Sequence, residues 1–224
     1  SDMQSAGRGR RGRGWESPAG INIYYTLMLK PDFSSDCAPM LTLVMALAVA
    51  KGIRQTLRRD SEEAAAKVGI KWPNDIVVDG KKVCGILTEM SMEQGYIQHI
   101  VIGVGINVRK QEFPEEIRDR AAAIDEQCGF RISRSQLIAD IMEAFEEDYE
   151  IFLRTHDLKG LRASYAELLV NQDREVCVLD PKGEYRGIAR GINDQGELLV
   201  ERQDGTVEEV YAGEVSVRGI YGYV

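Results

Sequence analysis

The segment Gly7–Trp15, GRGRRGRGW, sets four arginines among four glycines and ends on a tryptophan. Glycine costs about 1 kcal/mol relative to alanine inside a helix, so this composition favours a loop that can take positive φ and approach a ligand closely. Such a loop is expected to be mobile when empty. Guanidiniums crowded this tightly repel one another and recruit anions, and their forked donors match phosphate or carboxylate. The chemistry on offer is a phosphate clamp over a small molecule or a basic tail on nucleic acid. KWPND (Lys71–Asp75), GKKVCGI (Gly80–Ile86) and GVGIN (Gly103–Asn107) are the other segments whose residue types could serve a site. Each has a plain structural explanation when taken alone. Lysines near a hairpin tip are ordinary surface residues, Asn74-Asp75 after a proline is turn chemistry, and G-x-G without a third glycine is no dinucleotide fingerprint. Trp15 suits equally the wall of a pocket and the packing of a loop hinge.

The charge distribution separates the two uses of the arginines. The formal net charge is −8, yet residues 1–14 hold four arginines and one aspartate, a local +3 that leaves −11 on the rest. A nucleic-acid binder spreads basic residues over a face to displace many counterions, whereas here the positive charge is one short loop on an acidic body. The four cysteines, Cys37, Cys84, Cys128 and Cys177, form no C-x-x-C pair, and His99 and His156 are the only histidines, so neither a zinc site, any other dedicated metal cage nor a disulfide framework is indicated. No apolar run is read as reaching the length of a membrane span, and no signal-peptide pattern opens the chain. A soluble protein of the reducing cytoplasm is expected.

A chain of 224 residues with 44% hydrophobic content can build one large domain, or one domain with a small companion. INIYYTLMLKP (Ile21–Pro31) reads as a strand buried on both faces, and the segment from Ala38 to Arg59 as a buried helix with a basic C-terminus. Asp79-Gly80 lies between two strand-like runs, a strong hairpin signal, and GYIQHIVIGVGINV supplies another long strand. After a polar stretch to about Arg131, Ser133-x-x-Gln136 forms a capping-box pattern that opens an amphipathic helix through Phe152, and a further helix is expected from Leu158 to Val170. Beyond Asn171 short alternating runs are punctuated by Pro181-Lys182-Gly183, Asp194-Gln195-Gly196 and Asp204-Gly205. That spacing describes a small all-β barrel and puts a domain boundary near residues 170–173.

In this order and spacing, DMQSAGRGRRGRGW, KWPND, GKKVCGI and VIGVGIN resemble the catalytic domain of biotin protein ligases, and RGINDQGELLVERQDGTVEEVYAGEVSVR resembles the SH3-like domain that ends bacterial members. The resemblance covers essentially the whole chain, with Q-x-x-G-R-G-R and K-W-P-N-D its most specific parts. It implies an α+β fold: a class II synthetase-like mixed sheet with helices on one side over residues 1–171, then an SH3-like barrel over 172–224. It implies an ATP-dependent, AMP-forming ligase that joins biotin to ATP as biotinyl-5′-AMP, with Mg²⁺, and passes biotin to a lysine of a biotin carboxyl carrier protein. The resemblance maps Gln4, Gly7 and the Arg8-Gly9-Arg10 segment onto biotin and biotinyl-phosphate contacts. Lys82 corresponds to the family's lysine between the biotin carboxylate and the α-phosphate, with Arg10 restraining the adenylate. Gly85 and Gly103 let backbone approach the biotin rings, Asn107 meets the adenine edge, Trp15 lines the adenylate pocket or packs the hinge, and Asn74 and Asp75 stand near the metal and phosphates. Family members carry an upstream strand with Ser-Thr-Asn or similar on the biotin ureido group, and some carry a helix-turn-helix before it. Both are expected to lie outside this chain, which is taken as incomplete at its amino end. A homodimer is compatible with the resemblance. The alternatives are a lipoate or octanoate ligase or transferase of the related fold, and a non-enzymatic anion-binding module.

Overall fold

The computed structural model describes residues 1–180, 183–212, 216–219 and 223. In chain order the elements are β1 (Ile23–Leu29), α1 (Met40–Arg58), α2 (Glu62–Ala66), β2 (Val68–Lys71), β3 (Asp75–Val78), β4 (Lys81–Glu93), β5 (Tyr96–Ile106), α3 (Ile124–Cys128), α4 (Arg134–Thr155) and α5 (Arg162–Leu168). These are followed by β6 (Glu175–Asp180), β7 (Gly183–Ile192), β8 (Leu198–Glu201), β9 (Val207–Val210) and β10 (Ser216–Gly219). The first five strands form a sheet in the order β1-β5-β4-β3-β2, and the last five form a second sheet in the order β10-β6-β7-β8-β9. Among the described residues the strand pairs are antiparallel, and parallel contact is limited to the single bridges Ile70–Leu169 and Lys82–Ala121. The Pro181-Lys182 turn and the start of the EVSVR run lie outside the described residues.

One face of the first sheet is sealed by helices. Ile100, Ile102, Val104 and Ile106 of β5 are buried, with Cys84 and Ile86 of β4 on the same face, whereas Val101, Gly103 and Gly105 face the other way and are partly open. Period-two alternation thus leaves the other face glycine-rich and partly open. Across the covered face runs α1, buried over most of its length, with α4 packed behind it. Gly52 permits that approach, since a Cβ there would stand 2.5–2.8 Å from atoms of Ile141. Polar anchors stitch the same pair of helices: Lys51 to Asp148 at 2.5 Å, and Asp140 to Thr56 at 2.6 Å and to Arg59.

Four expectations need correction. The first strand is not buried on both faces: β1 is the sheet edge, and its burial alternates after Ile23 and Tyr24. A segment of membrane-spanning length and hydropathy does exist, Ser35–Arg58, with an 18-residue window of mean hydropathy 1.5, and it contains the core helix α1 and is mostly buried. The capping box is only half formed, because Ser133 Oγ accepts from the Gln136 N–H at 3.3 Å while the Gln136 side chain turns to Asp140. The helix expected from Leu158 to Val170 is shorter, Arg162–Leu168.

The Asp79-Gly80 hairpin forms as expected, with φ of 51° and 74° at its two central residues, the geometry of a type I′ turn. Just beyond it the register shifts, so that Val77 faces Lys82 while Ile76 faces Cys84. Val83 is the inserted residue of this bulge. Strict alternation would place Lys82 on the buried face with Cys84; the extra residue turns it onto the open face with Gly85.

Candidate active site

The arginine loop closes on itself at its base. Arg8 and Gly14 form a β-bridge, Gly9 N–H donates to Arg13 O at 2.7 Å, and Trp15 N–H donates to Gly7 O at 2.9 Å. Arg11 and Gly12 make the tip, at φ 60° and 71°. A Cβ on Gly7 would lie 2.3 Å from the Trp15 carbonyl, so only glycine allows the two strands of the loop to touch there. Gln4 sits at this base, its Oε1 accepting from Ser17 Oγ at 2.7 Å.

From that base Trp15 folds onto the open face of the sheet. Idealised Cβ atoms on Gly85 and Gly105 would meet its ring at 2.9 Å and 2.5 Å, so the indole lies flat over paired glycines of β4 and β5. Its Nε1 is buried without a hydrogen-bond partner among the described residues. Lys82 Nζ stands 5.5 Å from the centre of the same ring. Gly105→Ala is therefore expected to lift Trp15 from the sheet, moving its fluorescence to the red while the buried Trp72 is unchanged. An unaltered spectrum would show that the ring does not depend on the bare backbone.

The tip carries Arg10 inward. Arg10 Nη1 donates to Asn74 Oδ1 at 2.8 Å, its Nη2 donates to the carbonyl of Ala212, and Asn74 Nδ2 in turn donates to Ile86 O at 3.0 Å. Burial, more than the neighbouring Arg11 and Arg13, pulls the Arg10 guanidinium below its ordinary pKa, with Asp75 opposing. Arg10 also lines a cleft of about 330 Å³ with Thr42, Pro73, Ile86, Thr88 and Tyr211. This cleft runs along β4 beyond the residues paired with β3.

Beside the cleft lies a cluster of charges. Lys82 Nζ is 2.6 Å from Asp75 Oδ1, the Tyr223 hydroxyl donates to Asp75 Oδ2, and the Lys71 ammonium sits 3.4 Å from the centre of the Tyr223 ring. Burial alone would raise the Asp75 pKa; the charge and hydrogen bond of Lys82, the Tyr223 hydroxyl and Lys71 outweigh it and hold the carboxyl below its usual value. Lys71, 6% exposed, is pushed down to about 8, first by burial and then by Lys82, Arg218 and Arg120, against the pull of Asp75.

That last shift has a measurable consequence. A lysine that loses its proton earlier when folded leaves the unfolded chain holding more protons between pH 8 and 10.5, so its contribution to stability rises with pH across that window. Relative to Lys71→Met, the unsubstituted chain should gain up to about 3 kcal/mol from pH 7.5 to 10.5, read by urea unfolding. Parallel pH dependence in the two proteins would contradict it.

The expected site residues thus divide. Arg10, Trp15, Asn74, Asp75, Lys82 and Gly85 come together. Gln4, Gly7 and Gly9 shape the loop, and the largely exposed Arg8 side chain reaches Glu89 at 3.5 Å. Gly103 lies on the open face but away from Trp15, since a Cβ added there would meet only Leu87 O, at 3.7 Å. Asn107 is buried, with its backbone held between Val83 and Ile124. Gly105, Lys71 and Tyr223 belong to the cluster and were not singled out for it. Alternation along GVGI could have found Gly105, but no local signal joins Tyr223 to a lysine 152 positions earlier.

Residues 1–107 match the Biotin/lipoate A/B protein ligase family, and residues 173–218 match the Biotin protein ligase C terminal domain. A biotin acetyl-CoA-carboxylase ligase of Paracoccus denitrificans is 30% identical over 217 residues, covering 94% of this chain and 88% of that protein. The chain belongs to the biotin protein ligase family. The bifunctional ligase/repressor BirA of Bacillus subtilis is 35% identical over 97% of this chain, which spans 65% of the length of that relative. Among solved structures, the biotin protein ligase of Aquifex aeolicus in complex with biotin and ATP aligns over 97% of this chain and 87% of its own, with a TM-score of 0.80 and 29% identity. The α+β sheet with helices and the small antiparallel β domain are those of the biotin ligase structures.

Proposed function

We propose that this chain activates biotin with ATP, forming biotinyl-5′-AMP and pyrophosphate, and transfers biotin to a lysine of a biotin carboxyl carrier protein. The observation that carries the reading is that Arg10 and Lys82 meet the adjacent residues Asn74 and Asp75, beside a buried indole N–H that has no partner among the described residues. A biotin carboxylate attacking the α-phosphate brings two anions together, and fixed positive charge in a water-poor site lowers that barrier more than a nucleophile would. Lys82 supplies a compact ammonium, held 2.6 Å from Asp75 Oδ1, that neutralises both groups in the first step. In the second step an acceptor amine attacks the acyl carbon, the bond to the phosphate oxygen breaks, and the same ammonium stabilises the departing AMP. Arg10 and the closed loop keep water from the mixed anhydride until the acceptor arrives.

Among the described residues no group of three or more His, Cys, Asp or Glu gathers into a metal cage, and the oxygens of Asp75 are taken by Lys82 and Tyr223. These residues do not fit a resident Mg²⁺ site. The ion would enter on the substrate triphosphate, and no step above is assigned to it.

Biotin-dependent exchange of labelled pyrophosphate into ATP tests the proposal. Exchange with biotin and none with lipoate or octanoate is the expected result. Exchange that follows lipoate would favour the sister activity, to which the family matched by residues 1–107 also extends. Salt-sensitive nucleic-acid binding without exchange would favour a basic binding module.

A further inference from the structure

The lysine placed at the centre of this chemistry is held by a carboxylate that has two suitors. Asp75 lies close enough to Lys71 and Lys82 for its charge to act on both, and a short carboxylate between two ammoniums can turn toward either. One residue of the second β domain resolves the choice. Tyr223 occupies Asp75 Oδ2 through its hydroxyl, and its ring offers Lys71 a separate partner at 3.4 Å, which leaves Oδ1 to Lys82 at 2.6 Å.

We propose that Tyr223 is a positioning residue for Lys82: it fixes the orientation of Asp75 and keeps Lys71 off that carboxylate, so the second β domain sets the geometry of the reactive ammonium. Arg10 leans on the same domain through the carbonyl of Ala212. Trp72 does so through Gly196 O, to which its Nε1 donates at 2.9 Å. Both cations of the proposed reaction are thereby referenced to a domain that supplies neither of them, and a shift of that domain would misplace them together. Among the described residues the other charges that act on Lys71, Arg120 and Arg218, are both cationic. As a statement about catalysis the inference rests on the ligase reading; as a statement about Lys82 it does not.

The test is Tyr223→Phe in the whole chain, which keeps the ring over Lys71 and removes the hydroxyl. The lysine ammonium signals are recorded by ¹⁵N NMR, with Lys82 assigned by its loss in Lys82→Arg. Lys51, bound to the fully buried Asp148 at 2.5 Å, is an internal reference for intact folding. The Lys82 signal is expected to shift or broaden in Tyr223→Phe while that of Lys51 stays. In parallel, kcat for pyrophosphate exchange should fall about tenfold, with KM for biotin and ATP within about twofold and melting unchanged. An unmoved Lys82 signal or an unmoved kcat overturns the proposal. So does joint loss of both ammonium signals with a lowered melting temperature, which would mark Tyr223 as merely structural. If the unsubstituted chain shows no biotin-dependent exchange, the ligase reading fails, and the positioning of Lys82 is then decided by the NMR signal alone.

Discussion

Lys82→Ala is expected to abolish the proposed adenylate formation, with biotin-dependent pyrophosphate exchange falling by about a thousandfold or more. The size of the loss follows from what the ammonium would do. Its Nζ stands 5.5 Å from the centre of the Trp15 ring, and in the proposed reaction it meets charge that grows as the carboxylate closes on phosphorus. Water entering the vacated space screens that charge far less well than a fixed ammonium in a low-dielectric site. The fold should survive, because Asp75 keeps the Tyr223 hydroxyl and remains near Lys71, and the bulge is built from backbone pairing. Circular dichroism and melting beside the exchange assay separate the two effects. Retained turnover in a folded Lys82→Ala protein would remove Lys82 from the chemistry.

Arg10→Gly should produce the opposite kind of failure, an enzyme that still makes the intermediate and loses it. Arg10 ties the loop tip to Asn74 on one side and to Ala212 of the second domain on the other. Glycine removes both ties and loosens a loop that already carries four glycines between Gly7 and Gly14. The dissociation rate of biotinyl-5′-AMP is expected to rise by about a hundredfold, a loss of two charge-assisted hydrogen bonds. The released anhydride acylates any exposed lysine it meets. Streptavidin blots of a mixture with an unrelated protein should therefore show biotin on the bystander with Arg10→Gly and not with the parent chain. Tight retention of the intermediate by Arg10→Gly would mean that the loop does not act as a clasp.

How far the fold was legible depended on how local its causes are. The Asp79-Gly80 turn is dictated by two adjacent residues that tolerate positive φ, and the core helix by an apolar run that leaves no polar face in its first half; both appear as expected. The edge position of β1 was not legible, since its β-branched and aromatic composition is the same whether or not a second neighbour pairs with it. Nor was the half-formed capping box, because Gln136 is drawn away by Asp140, a partner that also answers to Arg59 on another helix.

The site divides along the same line. The arginine loop, KWPND and Lys82 could be named because motifs mark them, but the reason Lys82 faces the open side of the sheet is a one-residue bulge at Val83, which no residue type announces. Gly103 was named where Gly105 carries the indole, a difference that register decides and composition does not. Lys71 reads as a surface lysine until Tyr223 is folded over it.

The account turns on the arginine loop folding over an acyl phosphate held beside Lys82. Its most direct test is a crystal structure with a non-hydrolysable biotinyl-adenylate analogue. Lys82 Nζ and the Arg10 guanidinium should stand about 3 Å from the oxygens that replace the phosphate, with Trp15 Nε1 finding an acceptor on the ligand. The same analogue bound with those side chains turned to solvent would contradict it.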